Sequence, residues 1–305
     1  CNSRRGQQFG VHLQRERTAN PTPIRKKEVR TSVLFSGSEL LPPQDVNPIF
    51  NKGLAELART NHDMPRLVTT TASSQKSAVT DIGDFAKEVL GVDLMPWQLN
   101  ILEGLTSMDS NGDYLHRVGL FSVARQNGKT VLLAALIGHW LTTQGKARGQ
   151  AQTVISVAHK LDLATALFTY LAPILETKFN AHVSWSYGRM VLTMPDNSVW
   201  FPRAATPAAG HGYSVDLVVA DEVWDISEAA IDEGLLPSQR ARKNPLFVMA
   251  STSGTQDSKA LLRWREQGLR AIDSGEQTKL YFAEFSPPPT MDLMTPAAWA
   301  YANPA

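Results

Sequence analysis

Cysteine is almost absent. Cys1 is the only one in 305 residues, which excludes an internal disulfide and any cysteine-based metal site. That usage fits a reducing compartment. Long apolar runs are missing too. The longest, Val131–Gly138, stops at His139, far short of the roughly 20 residues a bilayer span needs. No apolar segment follows the basic N-terminus, so no signal peptide is read. The chain also lacks a strong excess of either charge. A net charge of +1 excludes a uniformly basic nucleic-acid coat. With 43% hydrophobic and 19% charged residues, it is not a disordered polyelectrolyte either. The seven histidines show no metal-ligand spacing, and there is no internal repeat.

What is present is enough chain for one large domain or two ordinary ones. The charge is uneven. Residues 1–30 hold eight Lys/Arg against two acids, a balance of +6, so the remainder sums to −5. Residues 1–75 read as a basic, loosely structured arm punctuated by prolines, with one short helix around Pro48–Thr60. Residues 286–305 contain five prolines and read as a semi-rigid linker. The chain has no initiator Met and stops in this linker, so both ends read as cuts through a longer protein.

Between these flanks, residues 76–285 alternate strands and helices. Helices are expected over Asp81–Leu90 and from Pro96, a residue suited to a first helical turn. Val118–Val123, Thr153–Ala158, Leu217–Ala220 and Phe247–Ala250 read as short buried strands, and Lys279–Phe285 as a last one. Thr130–Thr142, Leu161–Phe179 and Lys259–Ile272 read as helices. Val183–Tyr187, Met190–Met194 and Val199–Phe201 alternate and are joined by turn residues, which predicts an antiparallel meander. The pattern predicts an α/β fold with a mainly parallel central sheet flanked by helices.

The most informative segment is Arg125-Gln126-Asn127-Gly128-Lys129-Thr130, which follows a buried strand and opens a helix. That is the context of a phosphate-binding loop, where backbone N–H groups and the helix dipole receive phosphate oxygens. Lys129 is then placed to reach the outer phosphates and the Thr130 hydroxyl to ligate Mg²⁺. The usual pattern has glycine where Val123 stands. A second element, Asp216-Leu217-Val218-Val219-Ala220-Asp221-Glu222, is an apolar strand ending in two carboxylates. Asp221 suits Mg²⁺, and Glu222 suits orienting and polarising an attacking water. It lies 92 residues beyond Lys129 (221 − 129). Met95-Pro96-Trp97-Gln98 precedes the loop. Gln98 carries the donor and acceptor needed for an adenine edge, while Trp97 either stacks on a base or packs. Ser251 and Thr252 close a buried strand with hydroxyls suited to sensing a phosphate.

In this order, these residues resemble the large subunit of tailed-phage terminase, specifically its N-terminal packaging ATPase, a P-loop NTPase of the RecA-like class. The resemblance covers roughly residues 80–305 and includes Phe282–Pro287 and Trp299–Pro304. It implies ATP and Mg²⁺ as cofactors and a deviant phosphate loop in which Val123 is expected. It implies that Arg125 lies beside the phosphates, that Gln98 belongs to the adenine-contacting motif, and that Ser251 and Thr252 couple hydrolysis to DNA movement. It also implies an arginine supplied by a neighbouring subunit. The stretch Ala209–Ser214 before the acidic strand has none, so Arg203, Arg240 or Arg242 is expected to serve. The implied partners are double-stranded viral DNA, the portal and procapsid, a terminase small subunit and further copies in a ring. The implied location is the host cytoplasm, docked transiently on the procapsid, with a metal-dependent nuclease domain beyond Ala305.

Two other functions share these residues. A helicase-like translocase uses the same Gln, phosphate-loop, acidic and Ser-Thr logic but needs a second RecA-like domain with its own arginine motif. A non-hydrolysing nucleotide-binding scaffold tolerates loss of Glu222, whereas Lys129, Thr130, Asp221 and Glu222 are all chemically competent here.

Overall fold

The structure is a computed structural model that describes residues 63–71, 76–186 and 189–305. All of them fall within one compact unit, residues 49–305. The expected helix at Pro48–Thr60 and most of the expected arm lie outside the described residues, as does Gly188 of the meander.

The chain order begins with β1 (Leu67–Val68), α1 (Val79–Phe85, continued by a π-turn over Ala86–Leu90), α2 (Pro96–Thr106) and β2 (Val118–Ser122). Next come α3 (Lys129–Arg148), β3 (Thr153–Ala158), α4 (Leu161–Phe179), β4 (His182–Ser184), β5 (Val191–Thr193), β6 (Val199–Ala204) and β7 (Leu217–Asp221). A 3₁₀ turn at Val223–Asp225 and a π-turn at Ala230–Leu235 lead to β8 (Leu246–Ser251), α5 (Lys259–Ser274), β9 (Leu280–Glu284) and α6 (Pro296–Ala302).

These strands form one sheet of order β1-β9-β2-β8-β7-β3-β6-β5-β4. From β9 to β6 every pairing is parallel. β4 and β5 continue antiparallel from β6, as the meander required. Strands buried on both faces read as unbroken apolar runs, and all six residues of β8 are buried. Successive side chains alternate between faces. Phe121, Val219 and Val248 join the core formed with α1–α4. Leu120, Val218 and Phe247 join the opposite core, beneath α5 and the turns after β7. α3 is buried from Leu132 to Leu141, so it is apolar on nearly every side, as a helix packed inside a layer must be.

Two flanking segments depart from the sequence reading. Leu67 and Val68 were placed in the arm, yet they pair antiparallel with Glu284 and Ala283 of β9. Arg66 anchors the pairing by donating to the Ser286 carbonyl and hydroxyl, both at 2.7 Å. The Pro-rich linker contains α6, because Pro296 occupies a first helical turn and the Thr295 hydroxyl caps it, accepting from Ala298 N at 3.3 Å. Ala302 at its end accepts a hydrogen bond from Ala124 N at 3.2 Å. This segment is therefore folded against the loop that follows β2.

α2 approaches the sheet closely through two glycines. A Cβ on Gly104 would collide with the buried Tyr281 ring, and one on Gly119 of β2 with Leu105 Cδ2. Gly104→Ala therefore sets two effects against each other. Helix propensity favours alanine by about 1 kcal/mol, while overpacking a rigid ring costs about 1–3 kcal/mol. Net destabilisation is expected, read as a lower urea midpoint. A midpoint at or above that of the parent chain would show that the ring gives way.

Candidate nucleotide site

Parallel register brings the candidate residues to one edge. Ser122 at the end of β2 aligns with Ser251 of β8, and Asp221 of β7 aligns with Ala250 of the same strand. The phosphate loop and the two carboxylates thus leave the sheet on either side of β8, at the strands' carboxyl ends, where open α/β sheets bind ligands.

The loop between β2 and α3 is built by its backbone. Gln126 (φ 63°) and Gly128 (φ 84°) are left-handed, and Gly128 is the N-cap of the 20-residue helix α3. A Cβ on Gly128 would also press on Gln98 Nε2 at 2.9 Å, so glycine is needed there on two counts. No such need exists at Val123. Its φ is not positive and its side chain is 1% exposed within the core, so valine is accepted where the usual phosphate-loop pattern carries glycine. Asn127 is buried and holds the loop together. Its Nδ2 donates to the carbonyls of Ala124 and Arg125 and to Asn303 Oδ1, and its Oδ1 accepts from Ala305 N at 3.1 Å. Arg125, Gln126 and Thr130 are exposed at this edge, whereas Lys129 is buried.

Lys129 Nζ donates to Glu222 Oε1 at 2.9 Å, joining residues 93 apart in sequence. The other Glu222 oxygen accepts from Trp224 Nε1 at 2.8 Å and from Thr252 Oγ1 at 3.3 Å. Burial pushes the Glu222 carboxyl up, but hydrogen bonding and charge from Lys129, with Trp224 and Thr252, outweigh it and hold the group below its usual range. Its neighbour is tuned the other way. Burial pushes Asp221 up to about 6, with Lys129 lowering it, Glu222 raising it and the Glu222 N–H lowering it only in part. Glu222 itself sits at φ 54°, ψ 51°, a left-handed conformation that costs a non-glycine residue about 1–2 kcal/mol. Such strain persists where surrounding contacts over-determine it, commonly at functional sites.

Burial decides between the two readings of Trp97 and departs from the reading of Gln98. Trp97 is fully buried, edge-on to Phe285 with ring centroids 5.7 Å apart, so it packs and offers no face to a base. Gln98 is 2% exposed, and its amide binds the chain's own backbone. Its Oε1 accepts from Met95 N at 2.8 Å, and its Nε2 donates to Gly128 O at 2.9 Å. It braces the loop rather than presenting an edge to adenine.

The three candidate arginines separate. Arg203 lies at the end of β6, aligned through Val157 of β3 with Ala220 of β7. Its guanidinium covers the Phe201 ring at 4.6 Å, at the same edge as the carboxylates. Arg242 belongs to the opposite edge, donating to Ser214 O at 3.0 Å and lying 3.4 Å from the buried Asp216. Arg240 is exposed in the same turn before β8. Arg242 is thus a structural cation, and neither it nor Arg240 adjoins this chain's own phosphate loop.

Trp224 was missed by the sequence reading. A tryptophan two residues after the acidic pair was the available signal, but nothing local distinguishes an indole aimed at a carboxylate from one aimed at the core. Asn303 carries no local signal of its role, since its contact with Asn127 spans 176 residues.

These residues fit a nucleotide with Mg²⁺. A left-handed loop opens a long helix, a lysine stands beside it, and a half-buried carboxyl raised by desolvation suits the positive charge that a divalent ion supplies.

No protein-family model matches the chain. The terminase large subunit of Enterobacteria phage HK97 is 26% identical over 194 residues, which is 62% of this chain and 37% of that protein. The crystal structure of the HK97 bacteriophage large terminase matches with a TM-score of 0.63 and 21% identity, covering 75% of this chain and 48% of that one. The chain therefore spans less than half the length of these relatives. The chain is similar to a terminase large subunit, as its motifs implied, and shares its α/β fold.

The Asp221 carboxyl makes a pH-dependent prediction. Its folded pKa of about 6 lies above its ordinary value of 3.8, so the ionised form destabilises the fold. That penalty is complete above the folded value and disappears as pH falls below the ordinary one. In chelator-treated protein, Asp221→Asn should raise the denaturant midpoint at pH 7.5, with the gain shrinking towards pH 4. A gain that is absent at pH 7.5, or constant across this range, would show that Asp221 is not held in a desolvated, raised state.

Proposed function

We propose that this chain is the ATP-hydrolysing motor unit of a phage DNA-packaging terminase, moving double-stranded DNA through a portal into a procapsid. The observation carrying the proposal is the Lys129–Glu222 contact of 2.9 Å across the end of β8, with Thr252 of the adjoining loop reaching the same carboxylate. Phosphate chemistry and a candidate coupling segment thereby share one hydrogen-bond network. The reading extends to the partners of the whole machine: further copies in a ring, a small subunit, and transient docking on the procapsid in the host cytoplasm.

In this reading, the N–H groups of residues 126–130 and the positive end of α3 receive the phosphates of ATP. Arg125, at the loop's exposed edge, lies beside the same phosphates. Lys129 exchanges Glu222 for the outer phosphate oxygens. Thr130 and Asp221 would hold Mg²⁺, which when bound neutralises charge developing on the transferred group. Glu222, held by Trp224 and Thr252, orients and polarises the attacking water. Loss of the outer phosphate lets Lys129 return to Glu222, and Thr252 passes that change to the end of β8. Arg203, at the same edge but two strands from β7, is the arginine best placed to reach a neighbour's site in a ring.

Lys129→Ala should abolish both Mg·ATP binding and turnover. Glu222→Gln should keep binding and hydrolyse about 10²–10⁴-fold more slowly in single-turnover assays. Near-parental turnover in Glu222→Gln would reject its assignment as the water-activating group.

The arginine assignment has its own test. An arginine acting between subunits contributes about 10³–10⁵-fold, so Arg203→Ala should abolish the concentration-dependent part of the ATPase rate. Mixing Arg203→Ala with Glu222→Gln subunits should restore turnover at some interfaces. Arg242→Ala should instead lower the unfolding midpoint. Full turnover in Arg203→Ala at every protein concentration would remove it from the mechanism.

A further inference from the structure

We propose that Trp224 is a positioning residue that holds the Glu222 carboxylate in place when Lys129 is drawn to the phosphates. The inference rests on the hydrolytic reading above and adds a residue to it.

Of the donors on Glu222, Lys129 serves Oε1, while Trp224 Nε1 serves Oε2 at 2.8 Å and Thr252 Oγ1 serves the same oxygen at 3.3 Å. Lys129 is the donor with a second task. Of the remaining two, the indole makes the shorter bond. An indole N–H donates and never accepts, so it stabilises the anion without exchanging a proton or competing for the water that Glu222 must orient. A hydroxyl donates and also accepts, so it can bind that water itself.

The turn that carries the indole is itself fixed at several points. Trp224 N donates to Ser251 Oγ at 3.1 Å, and that hydroxyl donates to Thr252 O at 2.8 Å. Val223, on one side, is fully buried in the core beneath α5. On the other side, Asp225 Oδ2 lies 3.0 Å from His159 Nδ1, just beyond the end of β3. The 3₁₀ turn is thus tied to β8, to the core and to β3 at once. A carboxylate held at a strained backbone position needs that support, because a left-handed glutamate released from its contacts would relax. The same geometry makes Ser251 part of the glutamate's mounting. Any shift of the Trp224 backbone is transmitted to the end of β8 through one hydrogen bond.

Trp224→Phe removes the N–H and keeps most of the ring. Losing a hydrogen bond to a charged group should slow single-turnover ATP hydrolysis about tenfold or more, while the affinity for a fluorescent ATP analogue with Mg²⁺ stays within about twofold. A second measurement does not depend on activity. The indole N–H resonance of Trp224, assigned by its disappearance in Trp224→Phe, should move in Glu222→Gln and in Ser251→Ala. Unchanged turnover in Trp224→Phe overturns the proposal, as does a resonance that stays put in Glu222→Gln. If the parent chain hydrolyses no ATP, the hydrolytic reading falls and the positioning role falls with it. The resonance then reports separately whether the contact to Glu222 exists.

Discussion

Parallel pairing of β2, β8 and β7 is the constraint on which the site depends. Parallel strands all end at the same edge of a sheet, so whatever follows each strand is delivered to one place regardless of sequence separation. The phosphate loop follows β2, the two carboxylates close β7, and the Ser-Thr segment closes β8 between them. Pairing any one of these strands antiparallel would send its functional end to the far edge, where Asp216 and Arg242 form a structural pair instead. The apolar content of the strands is therefore functional in an indirect sense, because burial on both faces keeps this parallel arrangement stable.

At the edge itself, two features work against stability. Glu222 is strained in its backbone and Asp221 is desolvated, two features that each disfavour folding on their own. The surroundings offset them with rigid support: Trp224, Ser251 and Thr252 around Glu222, and its own backbone N–H on Asp221 Oδ1 at 2.9 Å. Lys129 stabilises both carboxylates electrostatically and is also the group suited to phosphate. A single cation serving two anions makes the protonation and position of each carboxylate sensitive to what Lys129 contacts.

The loop is braced from both sides of the chain. Gln98 of α2 holds the Gly128 carbonyl, while Asn127 is held by residues 303 and 305, just after α6. The segment following β9 thus touches the loop directly, through side-chain amides that pair equally well with backbone and with each other. Rigid mounting of a glycine-containing, left-handed loop keeps its N–H groups converging, which preorganised anion binding requires.

Much of this was legible in the sequence. Apolar runs bounded by turn residues marked the strands, and Gly-Lys-Thr after one strand with Asp-Glu after another marked the candidate site, because those features depend on local pattern and on residue type. Alternation in residues 183–201 likewise revealed the meander. The misreadings have a different origin. Gln98 and Trp97 were judged by what their side chains are able to do, but burial decided what they contact. Leu67–Val68 had too few residues to show a period, and Pro-rich composition concealed α6. Trp224, Asn303 and the separation of Arg203 from Arg242 rest on contacts spanning up to 176 residues or on strand order. By itself, then, the sequence determined the strands, the loop and the acidic pair, since each is a local property of a few neighbouring residues. Only the tertiary structure decided which donors hold Glu222 and which edge each arginine occupies, because strand order and side-chain burial are set by packing across the whole sheet.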